Sequence, residues 1–328
     1  MHHPLHTPVC DQLGIEYPIF LAGMGGVSLS RLVAAVSNAG GLGIIGAATL
    51  DPDRLRDEIP RTRDLTDKPF AVDLLAPIPD QIRPHMEVVF EEDVRIFVAG
   101  LAVPAEFIEE MHRRDMTVMV MCGKVRHAQK SEAAGADIVA AQGTEAGGHT
   151  GEVGGMALIP QVVDAVKIPV IAAGGLADGR GLVAALALGA QGAIFGTRFI
   201  ASPEAQAAPG YREAIVRATD ADTQRTRCYT GKPARTIRTD YAEEWERKAD
   251  QIQPFPMQAM LSVQNRVMDY MGVTGHFDPR RTFQPAGQSA GLVHEIKPAG
   301  EIVRDIVSEA EEVIRQRFVT PSLQQQKR

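Results

Sequence analysis

Short apolar runs rich in Val, Ile and Ala alternate with longer segments whose apolar residues recur every three to four positions, and this rhythm holds to about residue 200. A run buried on both faces reads as a strand of a parallel sheet, and helical spacing between two such runs reads as the crossover that joins them. The predicted strands are Pro18–Ala22, Leu42–Ile45, Phe70–Leu74, Val94–Val98, Thr117–Met121, Ile138–Ala141, Pro169–Ala172 and Gly192–Phe195. Predicted helices include Ser28–Ala39, Pro104–Arg114, Lys124–Ala134 and Gly179–Leu188, most of them followed by the glycine that ends a helix before the next strand. Eight βα units are what a closed barrel requires, so the predicted fold class is α/β, a TIM (β/α)8 barrel.

Beyond Ser202 the pattern turns polar and helix-prone, with turn signals at Gly231-Lys232-Pro233, Pro254-Phe255-Pro256 and Pro285-Ala286-Gly287. The expected organisation is a barrel over residues 1–202, a small helical domain over 203–290 that covers the substrate, and a C-terminal segment, 291–328. Within the last, Gly300–Phe318 carries Ile302, Ile306, Val313 and Ile314 at helical spacing and is expected to return to the barrel, ahead of a frayed tail.

Composition narrows the function. A net charge of -7 over 328 residues offers no basic surface for nucleic acid, and no apolar stretch is long enough to span a membrane. The first residues lack the apolar run of a signal peptide, and the three cysteines, Cys10, Cys122 and Cys228, are odd in number and widely separated. The expectation is a cytoplasmic enzyme of a small substrate, without disulfides. The histidines show no metal-ligand spacing, and no metal site is expected.

In such barrels the working face lies at the carboxyl ends of the strands. There the chain places Ala22-Gly23-Met24, Asp73, Gln142, a Gly-rich loop running through Gly147 to His149, then Gly174-Gly175 and Gly196-Thr197. Glycines after strands seven and eight let backbone N–H groups approach a phosphate, although tight turns alone also call for glycine. His149 is the one titratable group delivered by the glycine loop, and an imidazole suits general base or acid work near neutral pH. Glu145 and Glu152 flank it, with solvated carboxylates as the plainer reading. Lys124, Cys122 and the Arg- and Thr-rich stretch 223–238 are weaker candidates, read as a capping lysine, a small apolar filler and a mixed solvated face.

Taken together, Gly14-Ile15-Glu16-Tyr17-Pro18-Ile19, Ser37-Asn38-Ala39-Gly40-Gly41-Leu42-Gly43, the run from Ala141 to His149, the run from Ala172 to Gly181, and Gly196-Thr197-Arg198-Phe199 resemble the nitronate monooxygenase family, formerly 2-nitropropane dioxygenases. The resemblance implies FMN as cofactor. Gly174, Gly175, Gly196 and Thr197 would hold its phosphate, Ala22, Gly23 and Met24 would lie against the flavin, and Gln142 and Gly147 would border the ring or ribityl chain. His149 would be the catalytic base or acid. Where the family usually has Asn this chain has Asp73, whose carboxylate would accept from the ribityl hydroxyls. The implied reaction oxidises alkyl nitronates or nitroalkanes with O2, and a homodimer is the family expectation.

Two sister groups share the glycine-histidine loop: flavin-dependent enoyl-thioester reductases of fatty-acid synthesis, and NADH:quinone reductases. The sequence Ala290-Gly291-Leu292 followed by a long charged helix is similar to the quinone-reductase side. An NAD(P)H-dependent reductase is therefore the alternative reading. A barrel that binds phosphosugars would use the same glycine clusters without any flavin.

Overall fold

The computed structural model describes residues 3–75, 79–102 and 105–318. Met1, His2, Pro104 and the tail beyond Phe318 lie outside the described residues. Among the described residues, nine strands arise in chain order to residue 195: β1 (Ile19–Leu21), β2 (Gly43–Gly46), β3 (Phe70–Leu75), β4 (Ile96–Gly100), β5 (Thr117–Cys122), β6 (Ile138–Gln142), β7 (Gly148–His149), β8 (Val170–Ala173) and β9 (Gly192–Phe195). All but β7 form one parallel sheet in the order β1-β9-β8-β6-β5-β4-β3-β2. A parallel bridge between Phe20 and Leu42, with the Leu42 N–H donating to the Ile19 carbonyl at 2.8 Å, closes β1 onto β2. The result is the eight-stranded barrel that the hydrophobic rhythm predicts.

The strands read as continuous apolar runs because both faces are buried, and alternate residues serve different cores. Phe20, Ile44, Val98, Met119, Ile171 and Ile194 fill the barrel interior, while Ile19, Leu21, Ile45, Val72, Phe97 and Val118 pack outward against the helices. The short helix Pro8–Leu13 plugs the amino end of the barrel with Val9, Cys10 and Leu13. Gln191 fastens that plug: its carbonyl accepts from the Thr7 hydroxyl at 2.6 Å and its side-chain oxygen from the Val9 N–H at 3.1 Å. With one end closed by apolar packing, the carboxyl end is the one available for chemistry.

Several strands shift by a residue or two from their predicted bounds, the fourth with a visible cause. The segment Val94–Val98 was expected, but Val94 donates back to the Val89 carbonyl and Asp93 takes a φ of 48°, so pairing begins only at Ile96. The polar segment after residue 202 carries the helices Pro209–Arg217, Asp240–Glu246 and Met257–Gln264, but is not wholly helical. It also forms an antiparallel pair, β10 (Thr223–Thr226) and β11 (Ala234–Ile237). This segment has a small core of its own in which Tyr229 stacks on Tyr241 and lies against Phe283, with ring centroids 5.3 and 4.7 Å away.

The helix Ala299–Arg317 returns to the barrel, burying Ala299, Ile302, Val303, Ile306, Val307 and Ala310. It lies on the helices Ser30–Asn38 and Gly179–Ala187, the second of which follows β8. Glu309 accepts from the Gly179 N–H at 2.9 Å, tying the C-terminal helix to the first turn of the β8 crossover. Among the described residues no helix is long and apolar enough to cross a membrane.

Candidate active site

The carboxyl ends of the strands surround a cavity of about 340 Å3. Of the candidates at strand ends, all but Cys122 and Lys124 line it: Ala22, Gly23 and Met24 after β1, Asp73 on β3, Gln142 on β6, Gly147 and His149, Gly174 and Gly175 after β8, and Gly196 and Thr197 after β9. The barrel brings them together because each follows or ends a parallel strand, and parallel strands all point their carboxyl ends the same way.

Gly174 and Gly175 both adopt left-handed φ, 96° and 76°, which favours glycine at each. A Cβ on Gly174 would sit 3.0 Å from the Ala146 amide nitrogen and the Gly143 carbonyl oxygen, so a side chain there would press on the histidine loop. The N–H groups of Gly174, Gly175 and Gly196 donate to no acceptor among the described residues. Adjacent unclaimed amides at a cavity wall are suited to an anion. The Thr197 hydroxyl oxygen accepts from the Gly287 N–H at 2.9 Å, leaving its own proton to donate and fixing the Pro285–Gly287 turn over the cavity.

Asp73 is buried at 7% exposure, and its Oδ1 has no hydrogen-bond partner. It packs on the Gly23 backbone so closely that a Cβ there would meet Oδ2 at 2.1 Å. Burial without a counter-charge pushes its carboxyl up to about 8. An unpaired buried carboxyl is costly, and a donor arriving in the cavity would satisfy it.

His149 sits in β7, which pairs antiparallel with β11 through Ala234↔His149 and Arg235↔Gly148. The histidine loop is therefore a strand of a three-stranded sheet rather than a free loop. Its Nε2 lies 3.0 Å from the Thr230 hydroxyl, which itself donates to the Lys232 carbonyl at 3.2 Å. With that proton so committed, Nε2 would be the donor and Nδ1 would keep the lone pair. Burial and then the Lys232 ammonium push the imidazole down to about 4, so it is neutral at pH 7.

The flanking candidates resolve differently. Glu145 is not a solvated carboxylate: both its oxygens lie 2.9 Å from the Gly155 N–H, anchoring the loop on the start of the helix Gly155–Ala165. Glu152 reaches Arg225 at 3.4 Å. Cys122 is buried beside Ser131 and its thiol is pushed up to about 11 by burial, while Lys124 precedes the helix Val125–Ala133; neither lines the cavity. The stretch 223–238 is not a solvated face, since Thr223, Gln224, Thr226, Arg235 and Thr236 are buried in the small sheet. A covering segment beyond residue 202 was expected, but not the side chains it contributes: Thr230, Met268, Tyr270, Phe283 and Pro285 line the cavity. For these lining residues the sequence offered no more than the nearby turn signals at Gly231-Lys232-Pro233 and Pro285-Ala286-Gly287.

Comparison with known proteins adds to this geometry. The chain is 35% identical over 357 residues to a probable nitronate monooxygenase of Staphylococcus saprophyticus, spanning 94% of this chain and 99% of that protein. FabK of Thermotoga maritima superposes with a TM-score of 0.87 at 42% identity, covering 94% of this chain and 97% of that one. A nitroalkane oxidase of Streptomyces ansochromogenes superposes with a TM-score of 0.84 at 31% identity over 94% and 99%. The nitronate monooxygenase family profile matches residues 6–309, from the amino-end plug to the C-terminal helix. A match of that extent makes this chain an oxidoreductase of the nitronate monooxygenase family, whose members depend on flavin.

Proposed function

We propose that the protein is an FMN-dependent nitronate monooxygenase that oxidises alkyl nitronates or nitroalkanes with O2, with His149 as the base. The observation that carries this reading is a neutral imidazole, fixed by Thr230, in the same cavity as the unclaimed amides after β8 and β9. Gly174, Gly175, Gly196 and Thr197 would hold the FMN phosphate, and Asp73 would accept from the ribityl chain through its orphaned oxygen. Ala22, Gly23 and Met24 would lie against the ring, with Gln142 and Gly147 at its border. When bound, FMN supplies the electron acceptor that the protein's own side chains lack.

The residues' own work is then proton handling and exclusion of water. His149 accepts the proton α to the nitro group at Nδ1, while Thr230 holds the ring by Nε2. The roof residues Met268, Tyr270 and Phe283 keep the substrate in an apolar setting, and Tyr270 is held by donating its hydroxyl to the Gly25 carbonyl at 2.9 Å. A reducing, cytoplasmic setting suits three cysteines that are all buried and unbridged. The test is His149→Asn, which should stay folded and yellow but lose nitroethane turnover by about 10²- to 10⁴-fold. Parent-level turnover in that variant would remove His149 from the chemistry.

The likeness to FabK favours a second reading, an NAD(P)H-dependent FMN reductase acting on a quinone or an enoyl thioester. Anaerobic mixing separates the two: bleaching of the flavin by NADH or NADPH supports the reductase, and bleaching only by a nitronate supports the monooxygenase.

A further inference from the structure

A second cavity, of about 420 Å3, lies beside the first, and the two share a wall. Val27, Ile200 and Tyr211 line the active cavity, while their near neighbours Leu29, Pro203 and Arg212 line the second. The Gln206 N–H donates to the Val27 carbonyl at 3.0 Å, stitching the wall. The titratable groups that line this second cavity are Arg31, Arg54, Arg61 and Arg212 against Glu58 and Glu204, and Asp57 adds a third carboxylate 3.7 Å from Arg61, leaving a surplus of one cation. In a chain of net charge -7 that surplus runs against the background.

The carboxylates are already committed. Glu58 is 2% exposed, accepts from the Ser30 N–H at 3.1 Å, and pairs with Arg54 at 2.8 Å and Arg61 at 3.2 Å. Its burial fixes two guanidinium groups at the rim, a preorganisation that flexible surface pairs lack. Glu204 accepts from the Ala299 N–H at 3.1 Å. The arginines are less satisfied. Arg212 reaches the Ser202 carbonyl at 3.3 Å through one terminal nitrogen, but its Nε is buried with no partner. The Arg31 side chain makes no hydrogen bond or ion pair with any described residue.

A concave site with an unpaired buried guanidinium donor and surplus positive charge calls for an anion with several acceptor oxygens, which guanidinium groups bind in bidentate fashion. Its volume exceeds that of a free phosphate and lies in the range of sites for whole small molecules. We propose that this cavity binds a phosphoryl group carried by a nucleotide-sized ligand, at a site separate from the one formed by the glycine clusters.

The test uses flavin-loaded protein, so that the first phosphate site is filled, and titrates inorganic pyrophosphate, ADP and adenosine 2′,5′-bisphosphate by calorimetry. At least one probe should bind saturably, and the tightest identifies whether a free diphosphate or a nucleotide is the source. Arg31→Gln and Arg212→Gln should each weaken it about tenfold, the loss of one charge-assisted hydrogen-bonding group. Arg247→Gln, an equal change of charge at an exposed position on the roof segment, should leave it unaltered. Because Arg31 has no partner to lose, its variant should unfold at the parent temperature and so report on binding alone. No saturable binding of any probe, or equal weakening in all three variants, would overturn the proposal.

Discussion

At the scale of single residues, the site is defined by two groups that burial keeps in their neutral forms over a wider pH range than water does. His149 is pushed down to about 4 by burial and by Lys232, so at neutral pH it is already a base and need not first lose a proton. If its neutral form is required, kcat/KM should fall on the acid side with a midpoint near 4 rather than near the ordinary value of about 6.5. Lys232→Met removes the repelling cation and should move that midpoint upward, while burial, the larger cause, keeps it below the ordinary value. An acid limb centred at the ordinary value, or one indifferent to Lys232→Met, would deny the imbalance. Lys232 itself was legible only as part of a turn, because its effect on His149 exists only once β11 has paired with β7.

At the scale of elements, what could be read from the sequence was whatever local pattern dictates. The barrel strands are apolar throughout because they are sandwiched, and the glycine clusters are visible because their backbone geometry excludes other residues. The small sheet was not legible: Thr223–Thr226 and Ala234–Ile237 are short and polar, and their burial comes from packing that no local period encodes. Helix docking was legible only in part, since the stripe Ile302 and Ile306 marks a buried face but not its partner. The partner is the crossover after β8, and the contact is close enough to test. A Cβ on Gly179 would stand 2.3 Å from the Ala310 amide nitrogen, a backbone atom that cannot swing aside, whereas one on Gly181 would stand 3.2 Å from a flexible Leu176 methyl. Gly179→Ala should therefore destabilise by about 1–3 kcal/mol, as overpacking does, and loosen flavin retention by shifting the β8 crossover. Gly181→Ala should be near neutral in thermal unfolding, and equal losses in both would refute the close contact.

At the scale of the whole molecule, the same two groups set how stability depends on pH before any cofactor binds. For His149 the folded value lies below the unfolded one, so its neutral burial costs nothing above about 6.5, and stability is lost as pH falls from there toward about 4. For Asp73 the folded value of about 8 lies above the unfolded one. Its contribution is intact only below about 3.9 and is lost progressively as pH rises through 8, because the unfolded chain releases a proton that the folded chain must keep. The flavin-free fold is thus penalised from the acid side by one group and from the alkaline side by the other. Asp73→Asn removes the alkaline penalty without changing shape, so its midpoint should exceed the parent's by several degrees at pH 8, with the gain shrinking steadily toward pH 5. Differencing against the parent cancels every other titrating group, which leaves Asp73 as the source of the slope. A gain that stayed constant across that range would mean the carboxyl ionises normally, and the orphaned oxygen would then need a partner other than an incoming cofactor.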